Sequence, residues 1–170
     1  MNEIDVFLSA IPGILSGITV SLFTIWLSAI FEKRKLKKRT IRLLRLELDE
    51  IQDRIKSIEE IIGKDIELIK KDSRPLLLTV KNLRVDVWPV LKSLNLLDMF
   101  EEKFLRDLMD FYFLVDLVNG HIDTILSLQY TRVMLPDYKK QKLIAEEALL
   151  HNVKELREKL VSLQEKYDLE

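Results

Sequence analysis

The stretch IRLLRLELDEIQDRIKSIEEII, residues 41–62, decides the fold. Its Ile41, Leu44, Leu48, Ile51, Ile55, Ile58 and Ile62 alternate steps of three and four. Sustained over about three heptads, that spacing describes a helix with one apolar seam, used in a coiled coil or in a helical bundle. Isoleucine stands at both a-type and d-type positions, which in parallel coils leans toward three or four strands. Leu43, Leu46, Ile61, Ile66 and Leu68 widen the apolar face, as a helix needs when the rest of its own chain packs on it. An intermolecular coil and an intramolecular bundle helix are both open at this point. The next seam position is Asp65, a charge that weakens a continuous seam before Ile69 resumes it.

Upstream the chain is apolar, then basic. Residues 6–31 carry no charge, and Lys33, Arg34, Lys35, Lys37, Lys38 and Arg39 follow at once. As a helix those residues reach roughly 39 Å, against a bilayer hydrocarbon core of about 30 Å. The expectation is that residues 1–31 form a short N-terminal tail and one transmembrane helix, the span being residues 6–31. Acidic Glu3 and Asp5 ahead of the run, with no small-residue cleavage site after it, argue against a cleaved signal peptide. Lysine and arginine crowd the downstream end, so the positive-inside rule puts the N-terminus outside and the body in the cytoplasm, the basic block lying on anionic lipid. Trp26 suits an interfacial anchor.

On helical projection Ser9, Gly13, Ser16, Gly17, Ser21, Thr24 and Ser28 share an arc of roughly 140°. Gly13 and Gly17 form a GxxxG, which permits close helix approach in lipid. Three readings follow: self-association through this face into a homo-oligomer, a plain anchor whose hydroxyls bond back to the helix, and a narrow polar pore.

Beyond the stalk of residues 32–72, residues 73–170 read as a cytoplasmic helical domain. The fold class is all-α, an antiparallel bundle packing with the stalk. Residues 72–75 (Asp-Ser-Arg-Pro) end the stalk, and residues 76–85 fit a short helix or an extended connection equally. Asp86 caps a helix running to about Leu94, and Asp98 with Glu101 has capping-box spacing for the next. Phe104, Leu108, Phe111, Val115, Val118, Ile122 and Ile125 keep one phase across Gly120, which reads as an in-helix glycine at a close backbone crossing. Pro136 and Asp137 open the last helix, with Leu149, Val153, Leu156, Leu160, Leu163 and Tyr167 on one face. Most aromatic side chains here belong to the core.

The single span, the heptad stalk, the Asp86-x-Trp88 helix start and the aromatic helix reaching Asn119 resemble a set of uncharacterised prokaryotic membrane-anchored proteins. That resemblance implies no activity. In outline the layout is also similar to accessory membrane effectors of type III CRISPR defence, which implies a cytoplasmic sensor coupled to a membrane segment.

Residues 1–45 carry a net +5 and residues 46–170 a net −6, an acidic body unsuited to a nucleic acid duplex. With no cysteine, thiolate chemistry and disulfides are excluded. His121 and His151 lack metal-ligand spacing, no phosphate-binding glycine loop or serine elbow occurs, and no cofactor is implied. No enzymatic role is expected. One cationic set, Lys81, Arg84, Arg132, Lys139, Lys140 and Lys142, stands near helix ends and would make an anion site if packing gathered it; otherwise it is solvated surface. The expected function is a self-associating single-pass membrane protein presenting a helical interaction or sensor module to a cytoplasmic protein. The alternative is a membrane effector or pore opened by an anionic cytoplasmic ligand.

Overall fold

The computed structural model describes residues 3–131 and 137–167, the side chains of residues 3–20 and of Thr131 excepted. The described residues are helical, without strands: α1 (Glu3–Lys70), α2 (Val87–Ser93), a single 3-10 turn (Leu96–Met99), α3 (Glu102–Thr131) and α4 (Tyr138–Tyr167). Contacts divide the chain into two compact units, Met1–Ile41 and Arg42–Glu170. The unit that begins at Arg42 takes in most of the stalk together with the helical domain.

In the first unit the helix of residues 21–39 lies open to its surroundings. Leu22, Phe23, Ile25, Trp26 and Phe31 are each more than half exposed. The rings of Phe23 and Trp26 meet one another, with centroids 5.8 Å apart. Of the expected span, residues 6–20, with Ser9, Gly13, Ser16 and Gly17, have side chains outside the description. Among the described residues no helix is long and apolar enough to cross a membrane.

In the second unit the heptad seam is used within the chain. Leu44, Leu48, Ile51, Ile55 and Ile62 are fully buried, and Ile58, Ile66 and Ile69 nearly so. Ile62 meets Ile122 and Ile125 of α3 and Leu149 of α4. Each such side chain contributes about 1.5–3 kcal/mol by leaving water. Of the two uses of the seam, the structure shows the bundle.

The topology follows from which residues face which. The end of α1 meets the start of α4 (Lys70 to Glu147), and the end of α4 meets the start of α3 (Lys166 to Asp107). Tyr167 packs edge-on against Phe104. Helices α3 and α4 are therefore antiparallel, and α4 runs opposite to α1. Residues 73–86, with no regular secondary structure, make the return between α1 and α3. Leu76 lies beside Asp65, Asn82 beside Arg54 and Asp86 beside Glu47, so this strap runs down α1 in reverse. At about 3.3 Å per extended residue it reaches about 46 Å, ample for α1 from residue 47 to 70 at about 35 Å. The bundle is thus up-down-up-down with an extended strap in place of its second helix.

Local chemistry explains where elements end. Asp72 adopts left-handed φ 52°. Its N–H donates to Ile69 O and that of Ser73 to Leu68 O, the paired bonds of a Schellman stop. Asn95 (φ 50°) turns the chain after α2 in the same way. Along the strap Leu78, Val80 and Leu83 are buried while Leu77, Thr79 and Lys81 are exposed. That near-alternation belongs to extended chain and resolves the ambiguity of residues 76–85.

Three expectations need correction. Asp86 precedes α2 but makes no side-chain cap bond; its carboxylate pairs with Arg84 at 2.6 Å. Asp98 lies inside the 3-10 turn, so no capping box forms with Glu101, and α3 starts at Glu102. Gly120 is helical and exposed, and a Cβ there would meet nothing within 4 Å, so no backbone crosses it. The aromatic expectation holds for Trp88, Phe104, Phe111 and Tyr112, which are buried, but Phe113 is 68% exposed.

Candidate functional site

An extended strap with no strand beside it must find partners for its peptide groups, because a buried unpaired N–H or C=O costs about 1–3 kcal/mol. Here helix side chains supply them at three levels.

At the lower level Glu47, buried on α1, takes both Asp86 N–H and Val87 N–H on Oε2 at 2.6 Å each. These are orphan donors at the N-terminus of α2, and a carboxylate beside them is favoured by charge as well. The other oxygen, Oε1, accepts from the Tyr112 hydroxyl. Tyr112 stacks on Trp88 with ring centroids 4.9 Å apart. Burial first, then the Glu47 charge and hydrogen bond, push the Tyr112 phenol far up, so it stays a donor.

In the middle Asn119 of α3 grips Leu83 with both ends of its amide. Leu83 N–H donates to Oδ1 at 2.6 Å, and Nδ2 donates to Leu83 O at 3.0 Å. Arg54 donates to Asn82 O at 3.3 Å, while the Asn82 side chain donates to Asp123 at 3.1 Å.

At the upper level an ion pair takes the place of that amide. Leu76 N–H donates to Asp65 Oδ1 at 2.6 Å, and Lys142 Nζ donates to Leu76 O at 2.8 Å. Lys142 also donates to Asp65 Oδ2 and lies 3.3 Å from Glu146 Oε1. Asp65, Lys142 and Glu146 are all 0% exposed. Burial, and after it the Asp65 carboxylate, push the Glu146 carboxyl up to about 8, although the Lys142 charge pulls the other way. Burial therefore favours the protonated form of Glu146 at neutral pH. Both Glu146 oxygens are buried without a well-formed hydrogen bond.

This arrangement does not gather the cations expected to hold an anion. Lys142 belongs to the buried cluster, Lys139 pairs with Asp72 at 2.6 Å and Arg84 with Asp86. Lys81 and Lys140 are exposed, and Arg132 lies outside the described residues. Of the set expected to lie on anionic lipid, Lys33, Arg34, Lys35, Lys37, Lys38 and Arg39 are all exposed, as are Ser21, Thr24 and Ser28 of the small-residue stripe. His121 is half-buried and His151 exposed; among the described residues no three His, Cys, Asp or Glu side chains converge as metal ligands would.

Glu47 and Asn119 carry strap contacts yet stand out little in the sequence. Asp65 did leave a signal, a charge at a seam position. The i, i+4 pair Lys142 and Glu146 on the same side as Leu149 and Val153 was a second. No family model matches this chain, and neither a curated protein nor a solved structure matches it.

Proposed function

We propose that the chain is a membrane-anchored helical protein whose Arg42–Glu170 bundle is presented at the cytoplasmic surface as an interaction module. The observation that supports it is the exposure of Leu22, Phe23, Ile25, Trp26 and Phe31. A helix apolar on every side is not stable facing water and calls for lipid or another apolar helix around it. The basic block that follows carries the charge expected where a helix leaves the cytoplasmic leaflet. In this reading residues 6–31 cross the bilayer and self-associate through the Gly13 and Gly17 face. The bundle displays its strap side chains and an apolar stripe, Met109, Phe113 and Leu117, on the outer face of α3.

The test is alkaline carbonate extraction of membranes from cells expressing the full chain. Retention in the pellet until detergent is added supports the anchor, and release by carbonate alone overturns it. Light scattering in detergent then separates association from a plain anchor. A monomer indifferent to Gly13→Leu and Gly17→Leu would remove the association. An anion-gated pore would need cations available to a ligand, and Lys142, Lys139 and Arg84 each hold a carboxylate of their own chain.

A further inference from the structure

The buried cluster at the top of the bundle contains more chemistry than the strap requires. Asp65 and Lys142 by themselves satisfy both peptide groups of Leu76. Glu146 adds a third fully buried ionisable group, 3.3 Å from Lys142 Nζ, whose oxygens make no well-formed hydrogen bond, an arrangement that costs free energy and needs a reason. What it does bring is a carboxyl that burial favours in its protonated form, beside an amine and a carboxylate already in contact, in a site closed to solvent.

We propose that Lys142 and Asp65 join in an intramolecular isopeptide bond, with Glu146 as the proton shuttle. Lys142 Nζ contacts Asp65 Oδ2 and so stands one covalent bond away from Cγ, the atom it would attack. The reaction begins with one proton passing from the ammonium to Oδ2 along the existing hydrogen bond. The neutral amine adds to Cγ, the N–C bond forms, and the C=O pair moves onto oxygen. Glu146 takes a proton from the new C–N nitrogen through one oxygen and returns one to the departing Oδ2 through the other. The Cγ–Oδ2 bond breaks, water leaves, and Glu146 ends as it began. An ammonium and a carboxylate become a neutral amide plus water, with no oxidant and no co-reactant.

The hydrogen bonds agree atom by atom. The oxygen that leaves, Oδ2, is the one the strap does not use. Oδ1 stays as an amide carbonyl accepting from Leu76 N–H, and Nζ retains one proton for Leu76 O. In its cis form, which sets N–H and C=O side by side, the product would hold Leu76 as the Asn119 carboxamide holds Leu83, through an acceptor and a donor on one amide group. Enclosure supplies the remaining requirements, since reactants fixed in contact react as one species and a dry site does not return the water. The raised pKa of Glu146 favours the protonated form of the shuttle at neutral pH. The bond would close a covalent ring between α1 and α4.

Intact mass measurement of the full chain tests this directly. The expected result is a mass lower than the sequence requires by one water. Tandem spectra of a digest should then show a branched peptide joining the segments around residues 65 and 142. Glu146→Gln, which keeps the shape of the side chain, should restore the full mass, as should Lys142→Arg. A wild-type chain at full sequence mass overturns the proposal. So does a water loss that maps elsewhere, for instance to a succinimide at another aspartate, or a branched peptide that persists in Glu146→Gln.

Discussion

Removing the Glu47 carboxylate should release the α2 end of the bundle by a calculable amount. In Glu47→Ala the N–H groups of Asp86 and Val87 and the Tyr112 hydroxyl lose their acceptor together. Hydrogen bonds to a charged group contribute about 1.5–3 kcal/mol each, and they do not add fully when they share one acceptor. Asp86 is exposed and Val87 half-buried, so water re-solvates part of what is lost. The net cost should be about 3–4 kcal/mol, a large share of the stability of a domain this size. Glu47→Gln keeps a carbonyl for the two N–H donors and an amide facing Tyr112, and should cost about 1 kcal/mol. The assay is urea unfolding of the 42–170 unit, in which Trp88 is the sole tryptophan and reports on its own stack with Tyr112. A cost below about 1 kcal/mol for Glu47→Ala would refute the reasoning, because one buried and two part-buried hydrogen bonds to a single carboxylate cannot vanish that cheaply.

Gly120→Ala should stabilise the bundle by about 1 kcal/mol, read as a higher urea midpoint, because α3 has open space there and glycine is a poor helix residue. For Glu146 the folded pKa of about 8 lies above its ordinary value of 4.5, so the folded state holds the proton longer. Its contribution is fully present below pH 4.5, falls as pH rises, and is gone above about 8. The limiting slope is about 1.4 kcal/mol per pH unit. Thermal unfolding across that window should show this slope, and Glu146→Gln should flatten it. Hydrogen exchange should find the amides of Leu76, Leu83 and Asp86 protected although no regular element contains them, and that of Val87 protected although it opens α2. Exchange there as fast as in free peptide would mean that the side-chain bonds do not persist.

The parts of this fold that are legible in the sequence are those governed by period. The α1 seam, the phase of α3 across Gly120 and the apolar face of α4 all report a buried stripe through spacing alone. The strap is not legible in that way, because its peptide groups bond to Glu47, Asp65, Asn119 and Lys142, residues scattered over three helices. Glu47 and Asn119 read locally as ordinary polar surface, and only packing brings all four to one segment. Asp65 is the exception. Its place in the seam announced a conflict, and the conflict is resolved by a lysine more than seventy residues away. The capping expectations failed for a related reason: the donors of α2 are met by a distant glutamate instead of by the adjacent Asp86.

Because the helices hold the strap by its main chain, they constrain its route and leave half of its lettering free. The side chains of Leu77, Thr79, Lys81 and Arg84 are exposed, and the grips on Leu76 and Leu83 do not use them. Such a segment can be rewritten residue by residue without disturbing the bundle beneath it. That freedom is what a recognition surface needs when its target changes faster than its scaffold.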